Sequence, residues 1–121
     1  MKIVVLAISL LLAAPPEDML TGRWETQPSE KGSIFGIVFK NNNDMEAYKN
    51  KKPFASGRFF FNDADSILSF VDNACNRTSA IYKVNFFSNA DSLRFTAILD
   101  SCTERRNGIQ RLVMGRKNNK E

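Results

Sequence analysis

Short β-branched and aromatic runs, separated by clusters of turn-forming residues, recur along the chain after residue 20. They follow one another at a spacing of about 10–13 residues, which is typical of an all-β sandwich or barrel. Helical periodicity is hard to find in the same region. The pattern predicts eight strands: Gly22–Thr26, Ser33–Lys40, Met45–Asn50, Phe54–Phe61, Ser66–Val71, Thr78–Phe86, Ser92–Leu99 and Ile109–Arg116.

An internal similarity favours a meander, in which consecutive strands pair as hairpins. The stretch FFNDADSI (Phe60–Ile67) reappears as FFSNADSL (Phe86–Leu93). Each copy has an aromatic entry, an Asn/Asp turn and a Ser exit, so we predict one turn design used twice at the same end of the sheet. A calcium loop fits poorly, because both copies lack the Gly and the distal Glu of an EF-hand.

The first residues are typical of a secretory signal peptide. Lys2 precedes the apolar run Ile3–Leu12, which is about half the length that crosses a bilayer. We expect a signal peptide over 1–17, one folded domain over 18–116 and a frayed tail over 117–121. The protein would then be secreted or periplasmic, with no membrane span. A buried N-terminal strand or helix is the alternative, and the cleavage site stays open.

Two cysteines, Cys75 and Cys102, are placed to form a disulfide in an oxidising compartment. Alternation predicts that Tyr82 lies across from Phe95 on the inner face, and that Lys83 lies across from Arg94 on the outer face. Extending this register brings the two cysteines opposite each other. Two free thiols in a cytosolic protein are the alternative.

The chain contains no histidine among its 121 residues. This removes the commonest general base and the commonest metal ligand, so we expect no enzyme activity, no catalytic residues, no metal and no cofactor. Most of the available acids lie in turns, and Asp100 is expected to hold the Cys102 loop by pairing with Arg105. The net charge of +4 is too small and scattered to favour nucleic acid as a partner.

The motif Gly22-Arg23-Trp24 on the first strand of such a meander resembles the lipocalins. The second half, with LSFVDNAC, SLRFTAILDSCTER and LVMGR, is similar to short bacterial lipocalin-like (calycin-type) proteins. The resemblance implies a small eight-stranded antiparallel up-and-down barrel. It further implies that Trp24 closes one end, with Arg111 or Arg116 across its ring.

A rival resemblance is to bacterial META domains. It rests on ACNRTSAIY (Ala74–Tyr82) and on the later cysteine, although Ala74 and Ala80 stand where glycines are expected. The two families lead to different functions. A META-like module would have a solid core and act in envelope stress through its surface, with no small-molecule ligand.

The favoured hypothesis is a carrier of a small hydrophobic or amphipathic ligand, because the chain has 10 phenylalanines and aromatic side chains line ligand cavities. A barrel of short strands also has an interior that side chains nearly fill, so the same residues could form a core. The sequence leaves the oligomeric state open. The candidate cavity-lining residues are Phe39, Phe60, Leu68, Phe70, Tyr82, Val84, Phe95 and Met114.

Overall fold

A computed structural model of the chain describes residues 19–117. It contains eight strands, one helix and a short 3-10 turn at Asn73–Cys75. The strands are β1 (Gly22–Thr26), β2 (Phe35–Phe39), β3 (Asp44–Lys49), β4 (Lys52–Asn62), β5 (Ile67–Asp72), β6 (Ser79–Phe87), β7 (Ser92–Leu99) and β8 (Val113–Lys117), and the helix is α1 (Thr103–Gln110).

Each strand pairs antiparallel with the next, and β8 pairs with β1, so the sheet closes into an up-and-down barrel. The predicted all-β, eight-stranded meander barrel with one disulfide is confirmed. Every strand therefore has a partner strand on both sides, although β7 pairs with β8 only over 92–94. No helix among residues 19–117 is both long and apolar enough to cross a membrane.

The two ends of the barrel differ. We call the end formed by 19–22 and the turns 40–43, 63–66 and 88–91 the floor. The opposite end, formed by 27–34, 50–51, 73–78 and 100–112, is the mouth, and α1 lies there. The predicted signal peptide over 1–17 lies outside the described residues. Of the predicted tail, Lys117 is the last residue of β8 and pairs with Arg23, while 118–121 lie outside the described residues.

The segment between β7 and β8 differs from the prediction. A strand was expected over Ile109–Arg116, with a turn before it, but Thr103–Gln110 is helical and β8 begins only at Val113. The helix is short and has no fully buried apolar residue, so its sequence carries little periodic signal. Likewise, the strand expected over Ser33–Lys40 is limited to Phe35–Phe39.

The predicted pairing of β6 with β7 is wrong by two residues. Phe95 pairs with Val84 rather than Tyr82, and Lys83 lies across from Thr96 rather than Arg94. A shift of two keeps every side chain on its own face, so alternation cannot distinguish the two registers. The four-residue turn 88–91 and a bulge after Ile81 set the observed pairing.

The repeated hairpins also differ in detail. Both turns lie at the floor and have four residues, because Asn62 pairs with Ile67 and Phe87 pairs with Ser92. In the first turn the backbone of Ser66 has a left-handed conformation, with positive φ. In the second turn all three residues 88–90 have this conformation. The turn has therefore moved by one position relative to the repeated sequence, and the single turn design is wrong.

Candidate ligand cavity

The floor is closed by Trp24. Its side chain is fully buried, and its Nε1–H donates to the Leu20 carbonyl at 2.9 Å. The guanidinium carbon of Arg116 lies 4.3 Å from the centre of the ring. Arg116 also donates to the carbonyls of Met19 and Thr21, so it ties β8 to the segment that enters β1. Of the two arginines left open by the sequence, the structure selects Arg116.

Gly22 is required by the same arrangement. Its φ of +133° lies in a region that residues with a Cβ rarely adopt, and an added Cβ would lie 3.3 Å from Nη1 of Arg116. A side chain at this position would crowd the Arg116 guanidinium that lies over Trp24. The interior beside Trp24 is occupied by the buried or half-buried side chains Leu20, Phe61, Phe86, Leu93 and Met114.

The mouth half of the barrel is hollow. A cavity of about 1180 Å³ begins above this core and opens at the mouth. Its volume is slightly above the usual range for small-molecule sites, which is about 300–1,000 Å³. Its wall is mainly apolar. The large apolar side chains and alanines of the barrel strands and the α1 segment that form it are Phe35, Ile37, Phe39, Met45, Ala47, Phe54, Ala55, Leu68, Phe70, Phe95, Ile109 and Leu112.

Of the predicted lining residues, the structure brings Phe39, Leu68, Phe70 and Phe95 to the cavity wall. Three others are buried but do not line the cavity: Tyr82, Val84 and Met114. Phe39 packs edge to face on Phe59, and Phe70 stacks on Tyr82. Wall residues of the cavity are therefore packed against buried aromatic side chains.

The prediction for Phe60 is wrong, because its side chain is 64% exposed on the outside of β4. Its neighbours Phe59 and Phe61 point inward. A run of three phenylalanines has no alternation, so the sequence does not identify the inner face. The pairing of Phe61 with the buried Leu68 identifies it in the structure.

Sequence reasoning missed the wall residues of β2, Phe35 and Ile37, which alternate with the predicted Phe39. That alternation was a usable signal. It also missed Ile109 and Leu112, because these come from α1 and the residues after it, a segment predicted to be a turn followed by a strand.

A buried ionic cluster holds the mouth together. Arg105 of α1 donates to both oxygens of Asp100, to Asp72 at the end of β5, and to the Thr78 carbonyl, at 2.8–3.0 Å. The Asp100 side chain is fully buried, and Arg105 is only 6% exposed. Tyr82 adds a hydrogen bond to Asp100 at 2.6 Å. The predicted Asp100–Arg105 pair is confirmed, and Asp72 and Tyr82 are partners that the sequence did not indicate.

The electrostatics of the cluster favour its ionised form. Burial alone would raise the pKa of Asp100, but hydrogen bonds from Arg105 and Tyr82 outweigh it and lower that pKa. The pKa of Arg105 is raised despite burial, because Asp100 and Asp72 stabilise the cation. Burial and the bond to Asp100 raise the pKa of Tyr82, so its proton stays on the phenol.

The disulfide between Cys75 and Cys102 lies beside this cluster, with the two Cα atoms 6.3 Å apart. It links the 3-10 turn after β5 to the start of α1. Both cysteines and Arg105 also contribute to the cavity wall. The disulfide and the cluster therefore attach α1 to the barrel at the rim of the cavity.

Four further charged residues line the cavity at the mouth. Lys49 and Lys52 pair across the β3–β4 hairpin, while Glu104 and Arg111 come from the α1 segment. Arg111, expected as an alternative partner for Trp24, is therefore at the opposite end of the barrel. Within residues 19–117, Lys49, Lys52 and Arg111 form no salt bridge.

Among the described residues, no group of three His, Cys, Asp or Glu side chains is placed to hold a metal ion. The cavity wall therefore offers apolar surface, a satisfied ionic cluster and unpaired cations.

Neither a scan against models of known protein families nor a search of curated proteins finds a match to this chain.

Proposed function

We propose that the protein is a lipocalin-like carrier, secreted or periplasmic, that binds a small hydrophobic or amphipathic molecule inside its barrel. The observation that carries the proposal is the apolar cavity of about 1180 Å³, open at the end opposite Trp24. A barrel of this size can be filled by side chains. Here only the floor half is filled, so the mouth half has room for a ligand.

The proposed compartment has separate support. The disulfide between Cys75 and Cys102 is of the kind that persists outside the reducing cytosol. A protein that reaches such a compartment would need the expected signal peptide over 1–17. Closure of the floor by Trp24 and Arg116 is the feature that the resemblance to lipocalins leads one to expect.

Native mass spectrometry of the protein, recovered intact from its own secreted or periplasmic fraction, tests the carrier and the compartment together. We expect a mature N-terminus, an oxidised Cys75–Cys102 pair and an additional mass that leaves on mild activation. A ligand-free protein that also binds no hydrophobic probe would overturn the carrier. A chain that retains Met1 and two free thiols would overturn the compartment.

A matched pair of variants assigns binding to the interior. Ala55 is buried in the cavity wall, whereas the next residue on β4, Ser56, is exposed on the outer face. Ala55→Phe fills part of the cavity and should weaken binding of a fluorescent hydrophobic probe, while Ser56→Phe should leave it unchanged. Equal effects from the two variants would place binding elsewhere.

The second candidate, a META-like interaction module, draws on a different feature. The residues Phe60, Ser69, Ile81 and Leu99 form a transverse row across the outside of β4–β7, in which Phe60 and Leu99 are more than half exposed. Such a row could contact another protein. The open cavity counts against the solid core expected of this candidate. Loss of a partner from a Phe60→Ser variant, in a protein that binds no hydrophobic probe, would favour it.

A further inference from the structure

We infer that the cavity selects an anionic amphiphile, whose tail lies inside the barrel and whose negative head lies at the mouth against Lys49, Lys52 and Arg111. The inference rests on the proposed carrier function and names the class of its ligand. It is carried by unpaired cations that belong to the wall of an otherwise apolar cavity.

The charge of the cavity wall can be separated into two parts. Arg105 and Asp72 line the cavity, but both are committed to the buried cluster with Asp100. The remaining charged side chains of the wall are Lys49, Lys52, Arg111 and Glu104. Three cations and one anion leave a net positive charge at the mouth, with no carboxylate within salt-bridge distance of any of the three cations.

The apolar depth below these cations suits a tail. Along β2 the wall runs from Phe35 near the mouth to Phe39 above the floor, which is about 13 Å at the usual rise per residue. In this stretch the facing side chains are aromatic or aliphatic, including Leu68 and Phe95. A ligand with charge along its whole length would lose hydration without compensation here, whereas one with a terminal charge keeps that charge at the rim.

The rim itself is amphipathic. Phe54 is 53% exposed at the mouth and lies beside Phe35, with ring centroids 5.2 Å apart. It lies two residues after Lys52 on the same strand, so a cationic and an apolar group are neighbours at the rim. A carboxylate or phosphate head joined to a hydrocarbon tail presents the complementary order of charge and apolar surface.

The loops around the mouth carry an excess of cations. Their cations are Lys31, Lys51, Arg77, Arg105, Arg106 and Arg111, against the acids Glu30, Asp100 and Glu104. In the floor turns Asp63, Asp65 and Asp91 outnumber Lys40, but Arg116 also lies at that end. The excess of cations around the opening raises the local concentration of anions there, so it favours entry of an anionic ligand.

The test compares dodecyl probes that differ only in their heads: laurate, dodecyl phosphate, dodecanol and dodecylammonium. Binding is measured by displacement of a neutral fluorescent probe. We expect laurate and dodecyl phosphate to bind roughly tenfold more tightly than dodecanol, and the preference to shrink as salt is added. The ratio of the two anions shows whether the head is a carboxylate or a phosphate.

Two adjacent lysines provide the matched control. Lys52 lines the cavity and Lys51 does not, although both lie at the same hairpin turn. Lys52→Gln should weaken laurate binding by roughly two- to fivefold and leave dodecanol unchanged, while Lys51→Gln should have a smaller effect. Replacing Lys49, Lys52 and Arg111 together should abolish the preference for anions.

The outcomes separate this inference from the proposed function. If no dodecyl probe binds, the carrier itself is wrong. If dodecanol or dodecylammonium binds as tightly as laurate, the carrier stands and the selection of anions is overturned. An equal loss from Lys51→Gln and Lys52→Gln would overturn the role of the wall cations.

Discussion

Replacing Arg105 with Met should destabilise the protein, and the variant should regain part of the lost stability as the pH falls from about 7 to about 5. Arg105 is the only cation among residues 19–117 in salt-bridge contact with Asp72 and Asp100. Removing one partner from a buried ionic group typically costs about 3–5 kcal/mol, because the remaining charges lose their compensation. The free energy of unfolding of Arg105→Met should fall by that amount at about pH 7.

The sign of the pH effect follows from the pKa of Asp100. In the natural chain this pKa is lowered in the folded state, so its contribution to stability is present above the ordinary Asp value and is lost as pH falls through the lowered one. In Arg105→Met, burial and the nearby Asp72 would raise the pKa of Asp100 against the two remaining hydrogen bonds, from Tyr82 and from the Cys102 N–H. The folded state then binds protons more readily, and the variant gains stability as the pH falls.

Urea unfolding with the disulfide intact, at about pH 7 and about pH 5, measures both effects. We expect Arg105→Met to recover about 1 kcal/mol or more at the lower pH, because one unit of pKa shift corresponds to about 1.4 kcal/mol. Arg58→Met is the control, since its bond to Asp44 is also 2.8 Å long but 66% of the Arg58 side chain is exposed. The control should cost less than about 1 kcal/mol at either pH.

Two results would refute this reasoning. Arg105→Met could lower the free energy of unfolding no more than Arg58→Met does. Burial would then not make Asp72 and Asp100 more dependent on their arginine than an exposed acid is. Equal free energies of unfolding for Arg105→Met at about pH 7 and about pH 5 would mean that Asp72 and Asp100 find other compensation when Arg105 is absent.

Other parts of the molecule give simpler expectations. Replacing Cys75 and Cys102 with Ala should lower the free energy of unfolding in urea by about 3.5 kcal/mol, from the loop entropy of a separation of 27 residues. Tyr82→Phe removes the hydrogen bond to Asp100 and should cost about 1.5–3 kcal/mol, the range for a bond to a charged group, in the same assay. Gly22→Ala should cost roughly 1–3 kcal/mol by thermal unfolding because of its positive φ, and a melting temperature equal to that of the natural chain would contradict the geometry at the floor.

The architecture was predictable because it depends on coarse features. Eight alternating runs with turn clusters between them define a meander, and closure needs only that β1 and β8 meet. The disulfide was also predictable, although the register used to infer it was wrong by two residues. The cysteines lie beyond the ends of the paired strands, in segments that bring them together in either register.

The candidate site was less predictable, because it depends on α1. This helix begins after Cys102 and is held by Arg105, whose partners are Asp72 at the end of β5, Thr78 before β6 and Asp100 in the loop between β7 and α1. Long-range contacts of this kind leave no periodic signal in the sequence. The number of phenylalanines therefore predicted that several of them lie inside the barrel. It could not predict which half of the interior they fill and which half stays open.

The barrel is divided into a filled floor half and an open mouth half, and this explains where the disulfide and the ionic cluster lie. In the floor half, buried side chains such as Trp24 and Met114 pack against one another and stabilise the barrel directly. The mouth half encloses open space, so its wall lacks the packing partners that a filled core would provide. The disulfide and the Arg105 cluster both lie in this half, where they fix the ends of β5 and β7 and the start of α1 without occupying the centre. Covalent and ionic links at the rim thus stabilise the part of the barrel that cannot be filled if it is to receive a ligand.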